Sequence, residues 1–124
     1  MKRIVLITIL LSPIIFYACK QEPVVTKYSI EQFYKNKQVF GGKFSEDETR
    51  LLYTSNESGI YNLYEVCIAD GTQKQLTNST QESYFAIDYV PGTNKILYAA
   101  DKGGDEIDHI YLLNEDGTST DLTP

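Results

Sequence analysis

The chain has 124 residues, with 11 Lys and Arg against 17 Asp and Glu, and a formal charge of −6 at pH 7. That length accommodates one small domain. The acidic balance argues against nucleic acid as a partner, because a phosphate backbone calls for clustered Lys and Arg. With two cysteines, Cys19 and Cys67, there is neither a disulfide framework nor a cysteine-based metal site to expect. No cofactor is expected either.

The first segment reads as an export signal and is set aside from fold reasoning. Lys2 and Arg3 form a short basic start, and Ile4 to Tyr17 is apolar except for Thr8, Ser12 and Pro13. A run this short, with a proline inside it, is a poor membrane span, which needs about 20 apolar residues. Phe16-Tyr17-Ala18-Cys19 resembles the bacterial lipobox, in which a small residue precedes the cysteine that receives a diacylglycerol. Ala18 and Cys19 fit that pattern, whereas Phe16 and Tyr17 depart from it. The expectation is a signal peptide over 1–18 and a lipid on Cys19. The acyl chains would hold the protein on the cell envelope, facing periplasm or exterior, without spanning the membrane. Losing residues 1–18 removes two basic groups and no acidic one, so the mature chain is more acidic still. Residues 19–27 read as a polar tether. Tyr28 to Tyr34 reads as a short helix with Ser29 as its cap and Gln32 three residues on.

The rest of the chain repeats itself. Phe44-Ser45-Glu46-Asp47-Glu48-Thr49-Arg50-Leu51-Leu52-Tyr53-Thr54 aligns with Tyr89-Val90-Pro91-Gly92-Thr93-Asn94-Lys95-Ile96-Leu97-Tyr98-Ala99 at an offset of 45. Leu63-Tyr64 aligns with Ile110-Tyr111 at 47, and Asp70-Gly71-Thr72 with Asp116-Gly117-Thr118 at 46. A period near 45 suits a four-stranded propeller blade. Helical repeats share that period, but the interior of the unit is rich in β-formers. Arg50–Thr54 and Lys95–Ala99 are one pair of strands, and Ile60–Ile68 and Ile107–Leu113 a second. Lys74–Thr77 and Thr120–Thr123 form the outer pair, and Phe40–Phe44 and Tyr84–Val90 the inner pair. The Asp-Gly dipeptides predict type I′ hairpins with positive φ at both residues. The fold class is therefore all-β, with about two four-stranded antiparallel blades over 28–124. Blade one covers about 37–78 and blade two about 83–124.

These residues resemble known propellers. Phe44-Ser45-Glu46-Asp47 through Leu52-Tyr53-Thr54-Ser55-Asn56-Glu57-Ser58-Gly59 is similar to the WD-like repeat F-S-P-D-G-x-x-L-x-Y-x-S-x-x-x-G. Glu46 and Glu48 stand where that motif has proline and glycine. The longer stretch from Tyr28-Ser29-Ile30-Glu31-Gln32-Phe33 to Gln75-Leu76-Thr77 resembles the start of the propeller in prolyl oligopeptidase family serine peptidases. Those peptidases include the dipeptidyl and acylaminoacyl peptidases exported by bacteria.

The resemblance implies a propeller that gates peptide access to a separate α/β-hydrolase domain. The catalytic serine of that domain sits in G-x-S-x-G, and no such motif occurs here. No catalytic residue is carried over. His109, the single histidine, reads as a strand residue at a blade edge, and Cys67 as a small packing residue. The loops Asn56–Gly59 and Asp101–Asp105 read as solvated turns. The expected function is thus the propeller portion of a lipid-anchored serine peptidase, probed by peptide substrates or paired with a hydrolase domain. The alternative is a non-catalytic envelope propeller that binds or scaffolds. A third possibility is a short lipoprotein that oligomerises to complete its stack of sheets. Since propellers close with about 4 to 8 blades, the chain reads as a fragment. On its own it is expected to be marginally stable or self-associating.

Overall fold

The computed structural model describes residues 24–124. The signal segment and Cys19 lie outside the described residues. Two compact units emerge, one ending at Tyr34 and one spanning Lys35–Pro124. In the first, helix α1 (Ile30–Tyr34) carries the expected cap. Ser29 Oγ accepts from the Gln32 amide at 3.3 Å, and Gln32 Oε1 accepts from the Ser29 amide at 2.8 Å. Two otherwise orphaned amides are thereby satisfied reciprocally. Tyr28, Ile30, Phe33 and Tyr34 are exposed.

The second unit holds β1 (Val39–Phe44), β2 (Arg50–Ser55), β3 (Asn62–Cys67) and β4 (Gln73–Gln75), followed by β5 (Phe85–Tyr89), β6 (Ile96–Ala100), β7 (His109–Leu113) and β8 (Ser119–Asp121). They form two four-stranded sheets in the orders β1-β2-β3-β4 and β5-β6-β7-β8. Every neighbouring pair is antiparallel. Each sheet is a plain meander, so short local connections suffice to build it. The registers repeat: Tyr53 lies opposite Tyr64, and Tyr98 opposite Tyr111. Both tyrosine pairs stack, with centroids 5.6 and 5.2 Å apart.

Strand alternation sends alternate side chains to opposite faces. On β2, Arg50, Leu52 and Thr54 share one face. Leu63 and Glu65 of β3, which lie opposite Thr54 and Leu52, share it too. That face meets the second sheet. Leu52 and Leu63 are 0% exposed and form one core with Tyr89, Ile96, Tyr98, Ala100 and Leu113. Fully burying each leucine is worth about 1.5–3 kcal/mol. The inner strand β5 runs beside β1 and β2, where Phe40, Tyr61 and Phe85 cluster with centroids 5.0 to 5.8 Å apart.

The expected type I′ hairpins are not what forms. Gly71 and Gly117 have positive φ, at 72° and 83°, but Asp70 and Asp116 do not. The aspartates instead accept from the amides two residues on, Thr72 and Thr118, both at 2.9 Å. Such an Asx arrangement holds a right-handed turn, leaving only its last residue left-handed.

The turns before β2 and β6 also differ. In the second, Pro91 and Gly92 (φ 71°) precede the Thr93-to-Val90 backbone bond of 3.1 Å, which suits a type II turn. In the first, the left-handed residue is Glu48, at φ 56°. Asp47 secures that turn by accepting from Ser45 Oγ (2.6 Å), Thr49 Oγ1 (2.8 Å) and the Thr49 amide (3.2 Å). The Ser45 bond foremost, then those of Thr49, hold the Asp47 carboxyl down to about 2.

Glu48→Gly should raise stability by about 0.5–1 kcal/mol, because glycine adopts this backbone conformation without a steric penalty. Urea-unfolding midpoints check it. The Asp47 contribution should be complete above the unfolded carboxylate range near pH 4 and fade as the pH falls through about 2. Asp47→Asn should therefore be less stable than the parent at neutral pH, and that gap should shrink on acidification. Paired melts across pH measure it.

Candidate interaction surface

The seam between the sheets concentrates the polar chemistry of the chain. Arg50 enters it at the start of β2. Its Nη2 donates to Asn94 Oδ1 at 2.7 Å and its Nη1 to Glu65 Oε2 at 3.4 Å. The guanidinium also lies 5.4 Å from the centre of the Tyr89 ring, within cation–π range. The Tyr89 hydroxyl donates to the same Glu65 oxygen at 2.8 Å. Burial raises the Tyr89 phenol well above its usual value, and the bond to Glu65 and the charge of that carboxylate raise it further. Nearby, Glu46 Oε2 accepts from the Gly92 amide at 2.8 Å, and Thr54 Oγ1 accepts from the Ala86 amide at 2.8 Å. Lys43 and Asp88, at equivalent places on the inner strands β1 and β5, approach to 3.9 Å.

Asn62, at the start of β3, is 0% exposed and fully satisfied. Its Nδ2 donates to Ser58 Oγ and to the Ser79 carbonyl, both at 3.0 Å. Its Oδ1 accepts from Thr77 Oγ1 at 2.9 Å and from the Ser79 amide at 2.8 Å. It ties the end of the first sheet to the linker that leads into the second. Sequence reasoning missed this residue. The only signal was a polar side chain opening a strand otherwise rich in β-formers.

His109 takes the place of Asn62 in the second sheet. Its Nδ1 sits 2.8 Å from Asp121 Oδ2 on β8. Burial opposes ionisation of Asp121, but the Thr123 amide and His109 outweigh it and hold that carboxyl below its usual range. The pair clips two neighbouring strands, and among the described residues no serine or threonine hydroxyl is hydrogen-bonded to the His109 ring. Cys67 is a free, half-buried thiol at the end of β3, opposite Arg50.

Beyond the seam, a cleft of ≈ 590 Å³ opens among the loops around Glu82, Phe85, Asp101, Gly103, Glu106 and Asp108. Glu82 Oε1 there accepts from the Gly103 amide at 2.9 Å. Among the described residues no three His, Cys, Asp or Glu side chains are grouped to hold a metal ion, and no helix is long and apolar enough to cross a membrane.

Two facing four-stranded meanders with a repeated register are the packing of adjacent propeller blades. A solved structure carries the same arrangement: TolB from Acinetobacter baumannii, a β-propeller, matches with a TM-score of 0.58 and 25% identity over 67% of this chain. The chain is a partial β-propeller. It spans about a fifth of the length of that TolB chain, 20%. No family model and no curated protein matches it. The first sheet is blade one, the second blade two, and the seam is an inter-blade contact.

Glu65→Ala should cost about 1–3 kcal/mol, since it strands the buried Tyr89 hydroxyl and strips a partner from Arg50. It should also move the Tyr89 phenol down, towards its ordinary range. Urea unfolding and tyrosine absorbance during alkaline titration report the two effects separately.

Proposed function

We propose that the chain is the blade-forming part of a lipid-anchored propeller of the bacterial cell envelope, acting by binding rather than by catalysis. The observation carrying this reading is the pair of repeated blades seamed through Arg50, Glu65 and Tyr89, together with the likeness to TolB from Acinetobacter baumannii. Propellers present loops at the ends of their strands, and the loops here form an open acidic cleft rather than a nucleophile–base pair. Lipidation of Cys19 would supply the attachment, and the partners would be membrane lipid on one side and a protein ligand on the other.

A second reading keeps the propeller as the entrance to a serine peptidase. What supports it is the sequence resemblance of the stretch from Tyr28 to Thr77, and of its lead-in Ile30-Glu31-Gln32-Phe33 above all, to the start of the propeller in those peptidases. In that reading the blades would filter peptides, and a hydrolase domain carrying G-x-S-x-G would cut them. The DNA following the Pro124 codon separates the two. Further blades without that motif support a binding propeller, and further blades leading into it support a peptidase.

The anchor has its own test. With radiolabelled palmitate, cells expressing the chain should incorporate label that hydroxylamine removes only in part, since diacylglycerol lipoproteins also carry an amide-linked chain. Cys19→Ala should abolish labelling and shift the protein out of the membrane fraction. Unlabelled protein in the soluble fraction with Cys19 intact would end the lipoprotein reading.

A further inference from the structure

The seam is made once inside this chain, yet the chain carries both of its halves twice. Blade one offers its back face, with Leu52 and Leu63, to the front face of blade two, with Tyr89, Ile96 and Leu113. The repeat places Leu97, Ile110 and Leu112 of blade two where Leu52, Leu63 and Glu65 stand in blade one. Leu52 and Leu63 are 0% exposed, whereas Leu97, Ile110 and Leu112 are each half-buried. The repeat likewise places Phe44, Leu51 and Val66 where Tyr89, Ile96 and Leu113 stand in blade two. Phe44 is 58% exposed, and Leu51 and Val66 are half-buried. Tyr64 on this same front face is buried, and its hydroxyl has no partner among the described residues.

The two outward faces also match each other in chemistry. Inside the chain, the Tyr89 hydroxyl meets the Glu65 carboxylate beneath Arg50. At the outward faces the three positions read Phe44, Leu112 and Lys95. The hydroxyl and the carboxylate it needs are both replaced, so neither would be stranded, and a cation remains to lie over the aromatic ring. The inner strands agree as well. Lys43 of blade one pairs with Asp88 of blade two at the equivalent position. A blade one arriving at the open side of blade two would bring another Lys43 to Asp88, alternating charge from blade to blade.

We propose that the chain assembles head to tail with copies of itself, the back face of blade two seating on the front face of blade one in the next copy. Such a contact is heterologous, and it closes into a ring where the rotation per copy permits. A ring of about 4 to 8 blades built from this two-bladed stretch alone would take about two to four copies. The inference rests on the repeat and the fold, on neither the lipid anchor nor the peptidase reading, and concerns the 124-residue chain; in a longer protein a following blade would take the same seat.

The full chain, purified in detergent, is measured by native mass spectrometry and sedimentation across a micromolar concentration series. Assembly into a small, discrete number of copies is expected. Leu112→Glu, on the outward face only, should weaken assembly about tenfold or more, because its carboxylate would be buried against the apolar Phe44 of the next copy with only Lys95 to meet it. Adding Phe44→Tyr should restore it, since the pair then recreates the Tyr89–Glu65 bond between copies. Should Leu112→Glu lose its far-UV β signal, the decision passes to cross-linking. A Phe44→Cys chain mixed with a Leu112→Cys chain should be joined between positions 44 and 112 by a short bis-maleimide, whose span suits the gap of about 10 Å between packed sheets, and peptide mapping locates the link. A wild-type chain that stays monomeric throughout the series, a Leu112→Glu chain that folds and assembles like wild type, or mixed variants that give no such cross-link would each overturn the proposal.

Discussion

One constraint governs the molecule: a four-stranded meander cannot bury its apolar face alone. Each sheet here has two faces, and only contact with a neighbouring sheet takes Leu52 and Leu63 wholly out of water. The gain is concentrated at that single contact, where leucines of blade one meet Tyr89, Ile96 and Leu113 of blade two. Everything polar at the seam follows from that approach. Arg50, Glu65 and Tyr89 satisfy one another because burial would otherwise leave a charge or a hydroxyl without a partner. On the faces that lack a neighbour, Phe44, Leu51, Val66, Leu97, Ile110 and Leu112 stay at least partly in solvent.

The polar elements divide the labour between the two repeats differently. In blade one, Asn62 makes four hydrogen bonds and grips the linker at Ser79. In blade two, His109 grips Asp121 on its own outer strand. The threonine that ends each repeat keeps one role throughout. Thr77 accepts from the Leu63 amide at 3.0 Å, and Thr123 from the Ile110 amide at 2.9 Å. A shared backbone pattern thus carries two different clasps, one fixing the path of the chain between blades and the other closing the second sheet on itself.

Strand order and spacing were readable from sequence because a period near 45 with internal β-formers leaves few architectures open. Arg50–Thr54 is extended to Ser55, and Lys95–Ala99 moves by one residue to Ile96–Ala100. The Ser29–Gln32 cap was readable because its signature is local. The Asp-Gly turns were misjudged because the aspartate side chain, by bonding to the amide two residues on, stabilises a right-handed turn that the dipeptide alone does not reveal. The seam was out of reach for another reason. Arg50 to Asn94 and Glu46 to Gly92 join residues about one repeat apart in sequence, and neither pair leaves any periodic trace. Nor did the sequence indicate that His109 would find its acid on the strand beside it; it is a strand residue, as read, but it opens β7, which lies between β6 and β8.

The contrast between the Asn62 and His109 clasps bears on how the chain avoids confusing its own repeats. Tandem copies with matching registers are prone to exchange strands, since β8 could lie along β3 with the same ladder of backbone bonds. That mistake would take Asp121 away from His109 and set its carboxylate beside Tyr64, where Gln75 normally lies. It would also leave Asn62 without Ser79, because the linker that carries Ser79 follows β4 and not β8. The unlike clasps therefore act as an address on each outer strand, making the correct partner cheaper than its sibling by the cost of two deserted polar groups.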